Sequence, residues 1–168
     1  MFFKEKLMKK VYLTRTIGIV LTVFMMAFIF SMSSQNAIVS NETSGGVIRF
    51  TVSLVYPEFK ELGEIAQNEI VSSFQNLVRS FAHFVAFAAL CFFSLIFTLT
   101  LEKIKLLLRY VSSVVFAFLY AVSDEIHQLF IPGRAFQLFD ILVDSLGIML
   151  GAAVMYLIMK LIKKRTLI

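Results

Sequence analysis

Between Ser123 and Asp144 the chain reads SDEIHQLFIPGRAFQLFDILVD, a cluster of ionisable and amide side chains set between two long apolar runs. Asp124, Glu125, His127 and Gln128 open it, Arg134 follows a Pro132-Gly133 turn signal, and Asp140 and Asp144 close it. Arg79 and His83 form a second polar pair upstream. Residues three and four apart share a helix face, so Asp124, His127 and Gln128 align, as do Arg79 with His83 and Asp140 with Asp144. These residue types support four kinds of chemistry. Arg79 and Arg134 can grip a phosphate or carboxylate bidentately. His127 can act as a general base oriented by Asp124 or Glu125, with Arg134 steadying a developing anion, although only the adjacent Ser123 offers a nucleophile and nothing marks it. His83, His127 and one carboxylate supply three metal ligands, but without the HExxH type of spacing. The fourth use is structural: a buried network of ion pairs and hydrogen bonds that pins membrane spans together. The expectation is a ligand-binding site made of Arg79, His83, Asp124, Glu125, His127, Gln128, Arg134, Asp140 and Asp144, with no catalytic residue, metal or cofactor assigned.

The elements that must position these residues are apolar. Of the 168 residues 59% are hydrophobic and 19 are Phe, and the mean hydropathy is +0.85. A soluble domain is about 45–50% apolar, and this composition would leave large apolar patches in water. The class is an integral membrane protein, with the lipid bilayer as its first partner. Cys91 is the only cysteine and lies inside an apolar run, which excludes an intrachain disulfide and a cysteine-based metal site.

Four spans are expected, over Thr16–Met32, Phe81–Leu101, Leu106–Val122 and Ile141–Ile162. The first follows a basic start, which is also a mark of a cleaved signal peptide. Its 17 residues exceed an h-region of about 7–15, and the small-x-small cleavage pattern is poor, so a retained span is expected. Between the first two spans Glu42, Glu58, Glu61, Glu64 and Glu69 outnumber Arg49 and Lys60. Ser40-Asn41 and Gly45-Gly46 read as breakers. One short helix is expected over about Gly46–Val55, stopped before Pro57, and another from near Glu58. Phe59, Leu62, Ala66, Ile70, Phe74, Leu77 and Phe81 recur at helical steps and predict a stripe that packs on the bundle or lies on the membrane surface. Asp144 falls about a turn inside the last span and needs a partner, for which Arg79 and Arg134 are the available cations. Gly147 and Gly151 form a GxxxG pattern that lets another helix approach closely. The expected fold is all-α, an integral membrane bundle of four transmembrane helices with short extracytoplasmic helices between the first and second, in a single domain over 1–168.

Twelve of the sixteen Lys and Arg fall before the first span, between the second and third or at the start of the third (Arg109), or at the end of the fourth (Lys160) or after it. That bias makes those segments cytoplasmic, both termini included. The net charge of +5 therefore reflects membrane orientation rather than nucleic-acid binding. The acidic loop and the Ser123–Asp144 stretch then lie outside, and both histidines enter the bundle from that face.

The run Asp124-Glu125-Ile126-His127-Gln128, then Pro132-Gly133-Arg134, then Asp140, Asp144, Gly147 and Gly151, resembles the signature of the VanZ-like family of bacterial membrane proteins. Arg79-x-x-x-His83-Phe84 and Ser33-Ser34-Gln35 resemble two further family blocks. The chain departs at Ala86-Phe87, where many members carry Glu-Tyr, and at Asp144, where many carry Asn. The resemblance implies an envelope protein linked to lowered susceptibility to teicoplanin, a lipidated glycopeptide, with a polar cell-envelope ligand. An intramembrane enzyme acting on an envelope lipid or peptidoglycan precursor is the alternative, and a purely structural network a third. The orientation is tested by a Phe130→Cys variant in intact cells. A membrane-impermeant maleimide labels it directly if the charge bias holds. Labelling only after permeabilisation would reverse the topology.

Overall fold

The computed structural model describes residues 2–165. Five α-helices account for most of them: α1 (Phe2–Ser33), α2 (Ala37–Val55), α3 (Glu64–Thr98), α4 (Leu106–Gln128) and α5 (Leu138–Arg165). A 3-10 turn over Pro57–Glu61 joins α2 to α3. Four of the helices are long and apolar enough to cross a membrane, over Met8–Ser33, Glu64–Thr98, Leu106–Gln128 and Leu138–Lys163. The described part is thus an all-helical membrane bundle. Its outer surface carries exposed apolar side chains such as Val20, Phe24, Val115, Leu119, Leu146 and Leu150, which suit lipid and not water.

α3 is the central helix. It packs on α1, α2, α4 and α5, most extensively on α5, and its Phe87, Leu90, Cys91 and Leu95 are fully buried. α3 and α5 run parallel. A Cβ at Gly147 would collide with the Phe84 carbonyl, and one at Gly151 with the Ala88 carbonyl. The expected close approach is therefore backbone against backbone, and only glycine fits at either position. Gly18 makes a similar approach from α1, where a Cβ would sit 2.6 Å from the Phe97 nitrogen.

The segment between α1 and the second span differs from the sequence expectation. α2 starts at Ala37, not near Gly46, and runs through both supposed breakers. Asn36 caps it, its side-chain oxygen accepting from the Val39 N–H at 2.9 Å. Gly45 does not break the helix. It is buried against Val71, so its missing side chain is used for packing on α3. The next helix begins at Glu64, not near Glu58, because Pro57 starts a 3-10 turn first. It then continues without interruption into the second span. Its 35 residues make a rod of about 50 Å, against a hydrocarbon layer of about 30 Å. The N-terminal part of α3 thus projects beyond the bundle, with α2 antiparallel beside it. Arg49 of α2 donates to Gln67 at 2.9 Å and also to Asn68. The predicted stripe divides: Phe59 is buried and Leu62 and Ile70 pack around it, whereas Phe74, Leu77 and Phe81 are exposed.

The same chemical change should act with opposite sign at two glycines. Gly147→Ala puts a methyl into a backbone carbonyl that no rotamer change can move, and overpacking of this kind costs about 1–3 kcal/mol. Gly46 is an exposed position inside α2 with nothing near its missing Cβ, so Gly46→Ala should gain up to about 1 kcal/mol of helix propensity. Thermal unfolding in detergent should show a lowered midpoint for the first and an unchanged or raised one for the second.

Candidate functional site

The polar end of the bundle is the one opposite Phe2 and Arg165. α4 carries Asp124, Glu125 and Gln128 in its last turn and a half, all buried. The helix persists six residues past the expected end of the third span because these side chains find partners within the bundle. Asp124 Oδ2 accepts from Ser33 Oγ of α1 at 2.8 Å and from Gln128 Nε2 at 3.1 Å. Gln128 Oε1 accepts from Arg134 Nη1 at 3.4 Å, and Arg134 Nε donates to the Gln35 carbonyl at 3.3 Å. One chain of contacts thus runs from α1 through α4 and the following loop back to the exit of α1.

That loop is shaped by its own residues. Gly133 has φ +77°, a conformation that favours glycine. A Cβ there would also press on Ala37 at 2.8 Å, and the Ala37 N–H donates to the Pro132 carbonyl at 3.3 Å. The start of α2 is therefore docked on the loop. Glu125 Oε2 accepts from the Gln137 N–H at 2.9 Å and so holds the residue before α5. Arg134 is half-buried, and burial lowers its guanidinium pKa from the ordinary value, with the Arg79 charge acting in the same direction and Asp124, Asp140 and Glu125 opposing it.

α5 contributes Asp140 and Asp144. Ser80 Oγ donates to Asp140 Oδ1 at 3.4 Å. Asp144 is fully buried, and the His83 ring lies beside it, with Nδ1 at 3.9 Å from Oδ1. The expected arginine partner is corrected here: the parallel crossing of α3 and α5 puts the His83 turn, not that of Arg79, level with Asp144, while Arg134 reaches back toward α1 instead. A separation of 3.9 Å is too long for a hydrogen bond. Among the described residues both oxygens of Asp144 and Oε1 of Glu125 have no hydrogen-bond partner.

Two spaces open at this end. The smaller, about 10 Å³, lies among Arg79, Ser80, His83, Gln128, Arg134 and Asp140, room for about one water. The larger, about 300 Å³, lies between α1, α2 and α3. Its walls are mostly apolar, including Phe28, Ile29, Met32, Val47, Val78 and Ala82, and Arg79, His83 and Arg134 line it together. Among the described residues neither guanidinium makes an ion pair. Arg79 Nη2 donates to Asn76 Oδ1 at 2.6 Å, one turn back on its own helix.

Of the nine residues singled out from the sequence, Arg79, His83, Gln128, Arg134 and Asp140 line the small space. Asp124, Glu125 and Asp144 form a buried layer behind it. His127 stands apart. Its ring stacks on Phe30 with centroids 4.7 Å apart, and Nε2 lies 3.1 Å from Ser34 Oγ. That hydroxyl already donates to the Phe30 carbonyl at 2.7 Å, so His127 Nε2 is the donor. The face shared by Asp124 and Gln128 therefore does not extend to His127, and His83 is the histidine in the cavity. Among the described residues no group of His, Cys, Asp and Glu converges as a metal site.

Two polar features were not among the expected site residues. Ser80 lies three residues before His83 on α3, a spacing that the sequence does offer as a signal. Further along the bundle Ser94 donates to Ser113 at 3.1 Å and Thr98 meets Ser113 at 2.9 Å. Single hydroxyls in apolar runs carry no such signal.

No curated protein and no solved structure matches the chain. Residues 18–160 match the family model described as VanZ/LLP1, a stretch that takes in α2, α3, α4, nearly all of the apolar part of α1 and most of α5. That match, over a helical membrane bundle with its polar residues gathered at one end, shows that the chain belongs to the VanZ/LLP1 family.

Proposed function

We propose that this chain binds an anionic cell-envelope ligand at the outer face of the cell membrane, with both termini in the cytoplasm. Binding there underlies lowered susceptibility to lipidated glycopeptides of the teicoplanin type. The observation that carries the reading is the cavity shared by Arg79, His83 and Arg134. Two guanidiniums face one space and neither has a carboxylate in ion-pair contact among the described residues. Like charges at close quarters raise each other's free energy, and a bound anion relieves both. Asp124, Glu125, Gln128 and Asp140 brace the site, and Asp144 holds the His83 side of it.

A second reading has one observation in its favour. His83 lines the cavity with Asp144 3.9 Å from its Nδ1, a pair that would need to close to hydrogen-bonding distance to act as a general base and its orienting carboxylate. On that reading the chain is an intramembrane enzyme acting on an envelope lipid or peptidoglycan precursor, and His83 takes the role the sequence pattern suggested for His127.

Arg79 gives the clean test, because among the described residues its guanidinium hydrogen-bonds only to Asn76 on the same helix, so its loss should leave the fold intact. Hydrogen bonds to charged groups contribute about 1.5–3 kcal/mol, or roughly tenfold to 150-fold in affinity. Arg79→Gln should keep the folded yield and thermal midpoint of the parent while abolishing the teicoplanin phenotype in a susceptible host. An unchanged phenotype in a folded variant would remove the binding reading. For the enzyme reading, turnover of a radiolabelled peptidoglycan precursor should disappear in His83→Ala.

A further inference from the structure

The cavity at the polar end has a shape as well as a charge. The charged hydrogen-bond donors around it belong to Arg79 and Arg134, with His83 beside them. On the α2 wall, Thr43 and Ser44 already donate to the carbonyls of Val39 and Ser40, both at 2.9 Å. Ser40 and Gln35 add two more polar groups, and the rest of the wall is carbon, supplied chiefly by Phe28, Ile29 and Met32 of α1, Val47 of α2 and Val78 and Ala82 of α3. Phe28 and Ile29 lie more than a turn inside the end of α1, within the span Met8–Ser33. The apolar wall therefore reaches hydrocarbon depth. Phe28 and Phe81 at the level of the bundle are exposed, so the space opens sideways to lipid between α1 and α3.

We propose that the ligand is a phosphate-bearing lipid that enters from the bilayer between α1, α2 and α3. Its phosphate sits between Arg79 and Arg134, and its hydrocarbon tail lies along the apolar wall. This deepens the anion-binding reading and rests on it. A phosphate monoester offers three terminal acceptor oxygens and can engage two guanidinium forks at once, whereas a carboxylate offers two oxygens. Lipid tails are as apolar as the wall, so moving a tail from bilayer to slot yields little free energy by itself. The headgroup selects the ligand and the tail delivers it at the right depth. A free anion has no such delivery and must shed its water to reach a half-buried pair. The phosphate belongs to a glycerolipid or to a polyprenyl chain, which share this chemistry.

The test is binding to the purified full chain in detergent, read by native mass spectrometry. The probes are dioctanoyl phosphatidic acid, farnesyl phosphate, dioctanoyl glycerol and inorganic phosphate. One or both tailed phosphates should bind at least tenfold tighter than dioctanoyl glycerol and inorganic phosphate, and which of the two binds better identifies the source. Ala82→Trp and, from the opposite wall, Val47→Trp should each weaken the tailed phosphate tenfold or more without changing the weak binding of inorganic phosphate. Inorganic phosphate binding as tightly as the tailed forms, and lost in Arg79→Gln, would overturn the lipid inference and leave the anion reading standing. Dioctanoyl glycerol binding as tightly as phosphatidic acid would overturn the role of the phosphate. Binding of none of the probes by a protein with the parent's thermal midpoint would overturn both.

Discussion

The parallel crossing of α3 and α5 is the contact on which the polar end depends. Where Gly147 and Gly151 lie against the carbonyls of Phe84 and Ala88, the two backbones advance four residues together, so the register is fixed along both helices. Followed back toward the polar end, that register pairs His83 with Asp144 and Ser80 with Asp140. A side chain at either glycine would push α5 away and open these pairs. In lipid, where helices gain nothing from hiding apolar surface, close packing of this kind is a principal source of association free energy. The site is therefore positioned by the same contact that holds the two helices together.

α4 joins this pair by a different route. Its buried end needs partners for three polar side chains, since an unpaired polar group in an apolar surrounding costs several kcal/mol. Ser33 on α1, the Arg134 loop and the Gln137 N–H provide them. This couples the exit of α1, the end of α4 and the start of α5 into one unit. α2 is attached to the same unit through Ala37 and Pro132, which places its apolar face over the space beside α1 and α3. The cavity is a consequence of that placement.

Much of this was legible in the chain. Runs of apolar residues and the glycine spacing act locally, so the four spans and a close helix approach at Gly147 and Gly151 could be read directly, though not that α3 is the helix that makes it. The gathering of polar residues at one end also followed, since each span has to enter or leave there. What could not be read depends on contacts between distant segments. Gly45-Gly46 and Ser40-Asn41 look like breakers until Val71 is known to fill the place of a side chain. Helical spacing put His127 with Asp124 and Gln128, but Phe30 and Ser34 claim its ring. The partner of Asp144 depended on rotation about α3, and the slot on where α2 returns. None of these leaves a periodic trace.

The distribution of partners within the polar end has its own consequence. Its carboxylates are satisfied, where they are satisfied at all, by neutral donors: the hydroxyls of Ser33 and Ser80, the Gln128 amide and the Gln137 N–H. Its arginines are held by neutral acceptors, namely Gln128 Oε1, the Gln35 carbonyl and Asn76 Oδ1. Opposite charges stand near one another without pairing, although a contact at 4 Å in surroundings of effective dielectric constant 20 would be worth about 4 kcal/mol. A network whose only role was to tie spans together would gain by closing such pairs, because nothing else in the lipid offers compensation. Held on neutral acceptors, both guanidiniums line a mostly apolar space between α1, α2 and α3 without a carboxylate in ion-pair contact among the described residues. A bound anion would offset that uncompensated positive charge, which is why the arrangement favours the proposed binding role over a purely structural one.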